Sequence, residues 1–84
     1  MYYVYVLQSQ KDGKRYYGFT DNLERRSGEH ADGKVPSTKS RRPLIVVYFE
    51  VVGSREGARK RETYFKSGFG RKYVSRRIKN GPIV

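Results

Sequence analysis

The first twenty residues hold two runs of strand-forming residues around a tight-turn signal, and this pattern constrains the fold most. Residues 2–8 alternate with a period of two, which is typical of a β-strand when the residues are aromatic and β-branched. Asp12-Gly13 is a hairpin-turn signal, so residues 14–19 are predicted to return as a second strand. One face of the first strand should carry Tyr3, Tyr5 and Leu7, and the other Tyr2, Val4 and Val6.

The next part of the chain predicts a helix and a loop. Asp21 followed by Glu24 indicates a helix N-cap with its capping-box partner. This helix should span about residues 22–31, with Gly33 beyond its end. Residues 34–43 are polar and basic and end in a proline, which predicts a loop.

A third strand and two more helices are predicted in the remainder. Residues 44–52 are nearly all apolar, as expected of a buried central strand. Ser54 should cap the second helix, Gly68 should end it, and Gly70 should separate it from a third helix at about residues 72–79. The order strand, strand, helix, strand, helix, helix predicts a small sheet with helices packed on it, which is an α+β fold.

Length and composition restrict the class of protein. With 84 residues and no cysteine, we expect one domain over residues 1–84, one thin core, and no disulfide or thiolate metal site. The absence of cysteine fits a reducing cytoplasm, where we expect the protein to act. The longest apolar run, residues 44–49, is too short to span a membrane. The N-terminal run lacks a basic leader, so it is interpreted as a strand and not a signal peptide.

Charge indicates a polyanionic partner. The chain has 19 Lys and Arg against 8 Asp and Glu, and +8 of its net charge of +11 lies in residues 55–79. Such a basic stripe is typical of a nucleic-acid binder, although charge alone also allows a solvated surface, a ribosomal partner or an anionic membrane. Aromatic residues interleave with these cations and suit base stacking, unless they belong to the core: Tyr64, Phe65, Phe69 and Tyr73.

Several familiar kinds of site are excluded by the residue content. A single histidine rules out a multi-histidine metal site. The acidic residues are too few and too scattered for a carboxylate-rich two-metal site. The glycines at positions 13, 18 and 33 do not have the spacing of a phosphate-binding loop.

Glu62 is the most informative single residue. Ala58, Glu62 and Phe65 fall at helical positions i, i+4 and i+7, so they share one face, and its other members are apolar. A carboxylate on an inward face requires a partner or a metal ion. The alternative to a metal ligand is an ion pair with Arg59, Arg61 or Lys66.

Arg26 and His30 form a second constellation. Their spacing of i and i+4 places both on one face of the first helix. An arginine can clamp a phosphate and a histidine can exchange protons near neutral pH. Taken alone, the pair is better explained as a solvated helix face. Tyr5 and Tyr16, which lie on the two strands of the hairpin, could likewise be packing residues.

Together these residues resemble the GIY-YIG nucleases in order and spacing. Tyr3-Val4-Tyr5 stands where that family has Gly-Ile-Tyr, and Tyr16-Tyr17-Gly18 stands where it has Tyr-Ile-Gly. Arg26, His30 and Glu62 match the family's helix arginine, the following histidine and the later glutamate. The stretches 22–26, 38–43 and 58–62 also resemble the small stand-alone bacterial members. Phe19 replaces a lysine of some relatives, and Asn80 is the only counterpart of an asparagine that often follows the glutamate helix.

The resemblance implies a three-stranded antiparallel sheet flanked by helices, and a metal-dependent endonuclease that acts on DNA, with repair or recombination as its setting. It implies one Mg²⁺ or Mn²⁺ ion held by Glu62. Arg26 would donate to a phosphate oxygen. Tyr5 would be the base, assisted by His30, and Tyr16 would position water or phosphate, although the two tyrosine roles could be exchanged. A phenol titrates near pH 10, so its pKa must be lowered or its proton passed on.

Two rival functions and the identity of the substrate remain open from the sequence. A non-catalytic module that binds DNA or RNA is the main rival, and a small ribosome-associated protein is the other. RNA is not excluded as a substrate, and we expect either weak selectivity or recruitment by a protein partner, with no membrane partner. The backbone contacts are predicted to come from two sets of cations: Lys39, Arg41 and Arg42 in the loop, and Arg71, Lys72, Arg76 and Arg77 in the last helix.

Overall fold

The computed structural model describes residues 1–80, and its architecture confirms the α+β prediction. Three strands form one antiparallel sheet in the order β2-β1-β3, and four helices accompany it. No helix among residues 1–80 is long and apolar enough to cross a membrane. The elements in chain order are β1 (Tyr2–Ser9), β2 (Arg15–Thr20), α1 (Leu23–Ala31), α2 (Pro36–Lys39), β3 (Leu44–Val52), α3 (Arg55–Lys66) and α4 (Gly68–Lys79).

The central strand is β1, so the prediction that residues 44–52 form the central strand is wrong. β3 lies at the sheet edge, and Tyr48 is its only buried residue. An apolar run indicates burial but does not say which neighbours supply it. The hairpin between β1 and β2 forms as predicted, and Gly13 takes a positive φ of 74° in its turn.

The core lies between the sheet and the two C-terminal helices. Val4 and Val6 of β1 are fully buried there, and α3 and α4 cover them with Ala58, Phe65 and Val74. Phe65 is therefore a core residue and cannot stack on a base. The opposite side of β1 is buried as well, because Tyr5 and Leu7 are only 1% and 2% exposed.

The first helix begins one residue later than the capping-box pattern suggested. Asn22, and not Asp21, is the N-cap, and its side chain accepts a hydrogen bond from the Arg25 amide. Asn22 has the extended backbone that a cap residue needs. Gly33 lies beyond the helix end with a φ of 74°, as predicted. The predicted loop at 34–43 contains the short helix α2, which is too short to show a periodic pattern.

The junction between α3 and α4 also differs from the prediction. Ser54 caps α3 as expected, but Gly68 begins α4 instead of ending α3, and Gly70 lies buried inside α4. The side chain of Ser67 caps α4 by accepting from the Gly70 amide at 3.1 Å. A Cβ at Gly70 would lie 1.7 Å from the Tyr64 carbonyl oxygen. This glycine permits close packing of two helices, whereas its sequence context suggested a break.

We expect Gly70→Ala to destabilise the protein, because the added methyl group would collide with the backbone of α3. Overpacking of this kind costs about 1–3 kcal/mol, and a backbone clash should reach the upper end of that range. Gly28→Ala is the matched control: Gly28 is an exposed helical position with nothing within 4 Å of its Cβ site. That substitution should stabilise by about 0.5–1 kcal/mol. Urea unfolding measures both, and equal stability of the two variants would contradict this account of the junction.

Candidate active site

The predicted tyrosines and the helix α1 residues meet on one face of the sheet, beside β2. Tyr5 pairs with Gly18 across the two strands, and Leu7 pairs with Tyr16. Tyr5 and Tyr16 are therefore diagonal neighbours on the same face, with ring centroids 6.4 Å apart. His30 of α1 stands edge-on to both rings, at 5.9 Å from the first and 5.0 Å from the second.

Gly18 has a steric role in this arrangement. A Cβ at this position would lie 2.6 Å from the Tyr5 hydroxyl oxygen. Because no side chain is present, the Tyr5 ring can lie over Gly18 and place its hydroxyl beside His30. The glycine that ends the Tyr16-Tyr17-Gly18 motif thus sets the position of the first motif's tyrosine.

His30 is held by hydrogen bonds at both ring nitrogens. Its Nε2 lies 3.1 Å from the Tyr5 hydroxyl, and its Nδ1 lies 2.7 Å from the Thr38 hydroxyl. The Thr38 hydroxyl also donates to the Val35 carbonyl at 3.4 Å, so it accepts from Nδ1–H. With the imidazole proton on Nδ1, Nε2 accepts from the Tyr5 hydroxyl. The network assigns one tautomer to a histidine that is only 1% exposed.

Burial determines the acidity of these groups. It raises the pKa of Tyr5 to about 12; the nearby Arg26 guanidinium acts in the opposite direction, while the charges of Tyr16 and Glu62 raise the pKa further. Burial also lowers the pKa of His30, and the positive charge of Arg26 adds to this effect. Near neutral pH, Tyr5 therefore keeps its proton and His30 is uncharged.

Arg26 connects this cluster to the surface. Its side chain is 35% exposed, and Nη1 donates to Glu29 at 2.9 Å. The guanidinium is near enough to Tyr5 to lower the pKa of the phenol against the effect of burial. Glu29 orients Arg26 while leaving its other donors available, since a guanidinium has five N–H groups.

Glu62 lies in α3 close enough to influence Tyr5 electrostatically. Its side chain is 18% exposed and forms an ion pair with Lys66 at 3.5 Å, which is one of the predicted alternatives. Arg61, another predicted partner, binds Glu50 instead, with Nε–Oε1 at 2.8 Å. The Lys66 side chain is 55% exposed, so this pair is weak and exchangeable.

The residues fit a divalent ion that is bound largely by water and substrate. Within residues 1–80 no three His, Cys, Asp or Glu side chains cluster as a metal cage. Mg²⁺ commonly binds proteins through one or two carboxylates, several waters and substrate phosphates. Glu62 is a partly exposed carboxylate that is only loosely paired, so it suits such a site.

Sequence reasoning missed Thr38 as part of the site. It is fully buried at the end of α2, in a segment that was predicted to be a loop, and it fixes the His30 ring. In the sequence, Thr38 is only a polar residue eight positions after His30. That spacing predicts no contact, and only the folded structure shows that the two side chains meet. Asn80 forms the C-cap of α4, and its side chain makes no hydrogen bond to these residues in the described chain.

The two predicted sets of backbone-binding cations differ in their surroundings. Arg41 contacts Asp12 at 3.6 Å, and Arg42 donates to the carbonyls of Lys39 and Ala31, so both side chains hold the loop in place. Arg71, Lys72 and Arg76 line a shallow groove of about 400 Å³ on α4, together with Ser75 and Lys79.

The α4 groove adjoins the strand that carries Tyr16. Arg15, the residue before it, donates to the Ser75 hydroxyl at 2.8 Å. Phe69, which is 82% exposed, shares a helical face with Lys72 and Arg76. Arg77 instead lies beside Tyr48, whose pKa is raised mainly by burial and lowered in part by this guanidinium.

Comparisons with known proteins identify a family over most of the chain. The family described as the GIY-YIG catalytic domain matches residues 1–74. A UPF0213 protein of Syntrophus aciditrophicus is 46% identical over 66 residues, covering 76% of this chain and 75% of the relative. A UPF0213 protein of Listeria welshimeri is 39% identical over 84 residues, covering 99% and 86%. The solution NMR structure of a UPF0213 protein from Bacillus halodurans shares 33% identity and a TM-score of 0.54, covering 89% of this chain and 83% of that one.

We expect acid to destabilise the fold through His30, which is the chain's single histidine. Its folded pKa lies below the ordinary value of about 6.5, so on acidification the unfolded chain takes up the proton first. The contribution of His30 to the free energy of unfolding is therefore fully present above pH 6.5, and it declines as the pH falls below that value. A ¹H NMR titration reports the histidine pKa directly, and urea unfolding at pH 7.5 and 5.5 reports the stability. A histidine pKa at or above 6.5 would contradict the effect of burial on this side chain.

Proposed function

Because this chain belongs to the GIY-YIG nuclease family, we propose that it is an endonuclease that hydrolyses DNA phosphodiester bonds with the help of one divalent cation. The observation that carries the proposal is the hydrogen-bonded series Tyr5, His30, Thr38 beside Arg26. A module that only binds nucleic acid does not need a buried histidine whose unprotonated nitrogen accepts a hydrogen bond from a tyrosine hydroxyl.

The series supports a proton relay. Since the Tyr5 phenol keeps its proton near neutral pH, it can take a proton from the attacking water only by giving its own to His30. His30 can accept that proton because it is uncharged near neutral pH and its Nε2 faces the hydroxyl. Water then loses one proton, Tyr5 is unchanged in charge, and His30 becomes a cation. Thr38 is a positioning residue that keeps Nδ1 as the donor.

The contacts favour Tyr5 over Tyr16 as the group that receives the water proton, because Tyr5 is the one hydrogen-bonded to His30. Tyr16 is half-buried and its ring packs against the same imidazole, which leaves it suited to positioning water or phosphate. Arg26 would donate to a non-bridging phosphate oxygen as negative charge increases there.

Glu62 is the residue that would hold the cation, which we take to be Mg²⁺ or Mn²⁺. When bound, such an ion supplies a Lewis acid that offsets negative charge on the phosphate oxygens. The carboxylate must exchange its ion pair with Lys66 for the metal, and the exposure of that lysine makes the exchange easy.

We expect Glu62→Gln to abolish cleavage while preserving DNA binding, since glutamine keeps the side-chain shape but removes the charge that holds the cation. Glu56→Gln is a matched control on the same helix: Glu56 also pairs with a lysine at i+4, at 3.4 Å, but is 73% exposed. Nicking of plasmid DNA in saturating Mg²⁺ or Mn²⁺ measures the activity. Wild-type cutting by Glu62→Gln would remove this residue from the mechanism. Metal-dependent binding without any cutting by the wild type would instead favour the non-catalytic module.

We also propose that the α4 groove grips the phosphate backbone without reading sequence. Replacing Arg71, Lys72 and Arg76 together by Gln should weaken binding to all sequences alike, because phosphate neutralisation releases counterions. On duplex DNA the log–log salt slope should flatten by about 0.9 for each phosphate that the variant no longer neutralises. A salt titration in the Glu62→Gln background measures this. The control replaces three cations elsewhere, Lys34, Arg59 and Lys60, for the same change in net charge. An equal effect of both triple variants would mean that bulk charge, and not this groove, determines binding.

A further inference from the structure

A second polar cleft lies next to the candidate active site, where α1 and the start of α3 approach the end of β2. Its volume is about 320 Å³. Arg55 is one of its residues that the family pattern identified in the sequence does not include. The lining residues are Tyr2, Phe19, Thr20, Asp21, Arg25, Arg26 and Arg55.

The cleft has a rigid floor. Val4 and Phe19 are cross-strand partners, so Tyr2 and Phe19 lie on the same face of the sheet. Both rings are partly buried against the hydrophobic core. Cations placed above such a floor are less well hydrated than on open surface, which strengthens their attraction to an anion.

The arginines of the cleft differ in how far acidic partners offset their charge. Arg25 contacts Asp21 at 3.1 Å and Glu29 at 3.8 Å, so its charge is largely offset. Arg55 makes no ion pair and no side-chain hydrogen bond with any residue in the 1–80 range. Three guanidinium groups and one carboxylate leave the cleft with a positive excess, and Arg55 is the donor that lacks a partner among the described residues.

Arg26 belongs to both sites. It lies beside Tyr5 in the active site and also lines this cleft. The two sites are therefore separated by no more than one arginine side chain. A nucleic-acid strand that presents one phosphate to Tyr5 and Arg26 can therefore place a neighbouring phosphate in this cleft.

We propose that this cleft binds the phosphate adjacent to the scissile one, with Arg55 as its principal donor. The proposal rests on the proposed nuclease function. The guanidinium fork matches phosphate oxygens in a bidentate manner, which suits a cleft that has few other free donors. Arg55 is thus a positioning residue that fixes the register of the strand.

The binding test uses two probes that differ by one phosphate and requires no cutting. In the Glu62→Gln background with Mg²⁺, NMR titration compares the thymidine dinucleotide, with one phosphate, and the trinucleotide, with two. With Arg55 present, the second phosphate should raise affinity about fivefold or more, as expected for one charge-assisted hydrogen bond in a half-exposed cleft. Arg55→Gln should lose most of this gain. Arg59→Gln, which removes the same charge one turn further along α3, should retain it.

A second experiment tests the register in the cutting enzyme. In each DNA substrate, one uncharged methylphosphonate replaces a single phosphate. The lengths of the products show where each cut lies relative to that neutral linkage. Wild-type protein should cut slowly when the neutral linkage adjoins the scissile bond on one side, and Arg55→Gln should not distinguish that position from more distant ones. Both variants should retain the wild-type circular dichroism spectrum, because positions 55 and 59 are exposed.

The outcomes separate the two proposals. If the wild type does not cut but the trinucleotide gain depends on Arg55, the nuclease proposal fails, and the cleft is a binding site for the second phosphate of a bound strand, without a scissile neighbour. If cutting is normal but Arg55→Gln and Arg59→Gln behave alike in both experiments, the cleft proposal is overturned. It is also overturned if Arg55→Gln loses affinity for inorganic phosphate alone and keeps the trinucleotide gain, because the cleft would then serve a free anion.

Discussion

The burial of β1 on both of its faces is the constraint on which the rest of the structure depends. Val4 and Val6 fix the strand in the core under α3 and α4, and the intervening Tyr5 must then point to the opposite side. A shift by one residue would exchange the two faces and place a valine where the His30 imidazole now meets a hydroxyl. The same hydrophobic contacts that stabilise this small protein therefore determine the position of the phenol in its candidate active site.

Two glutamates differ in how completely their carboxylates are paired, and this difference indicates which one supports packing and which one is available to bind a cation. The carboxylate of Glu50 is bound by Arg61 and by two tyrosine hydroxyls, so it is fully paired at the junction of β3 with α3 and α4. Arg61 also lies over the rings of Tyr64, Phe65 and Tyr73. Glu62, one residue further along, contacts a single exposed lysine within the described chain. A saturated carboxylate can only stabilise the packing, whereas a loosely paired one remains available for a cation.

The sequence predicted the elements that depend on local signals. Alternation identified β1, the Asp12-Gly13 turn identified the hairpin, and Ser54 identified the start of α3, because each of these signals acts over a few residues. Strand order and the role of Gly70 could not be predicted in the same way. An apolar run is compatible with a central or an edge strand, and a glycine within α4 is explained only by the backbone of the neighbouring α3.

In the candidate site, too, some residues could be predicted from the sequence and others could not. Tyr5, Tyr16, Arg26, His30 and Glu62 could be selected because their order and spacing resemble those of one nuclease family. Each of these residues bears a chemical group that such a reaction would use directly. Thr38 and Arg55 could not, since a hydroxyl that orients an imidazole and a guanidinium that completes a cleft acquire their roles from distant parts of the chain. The residues that set geometry are thus the ones that single-sequence reasoning misses. In a small protein with a thin core they lie among ordinary surface polar residues, and only their contacts distinguish them.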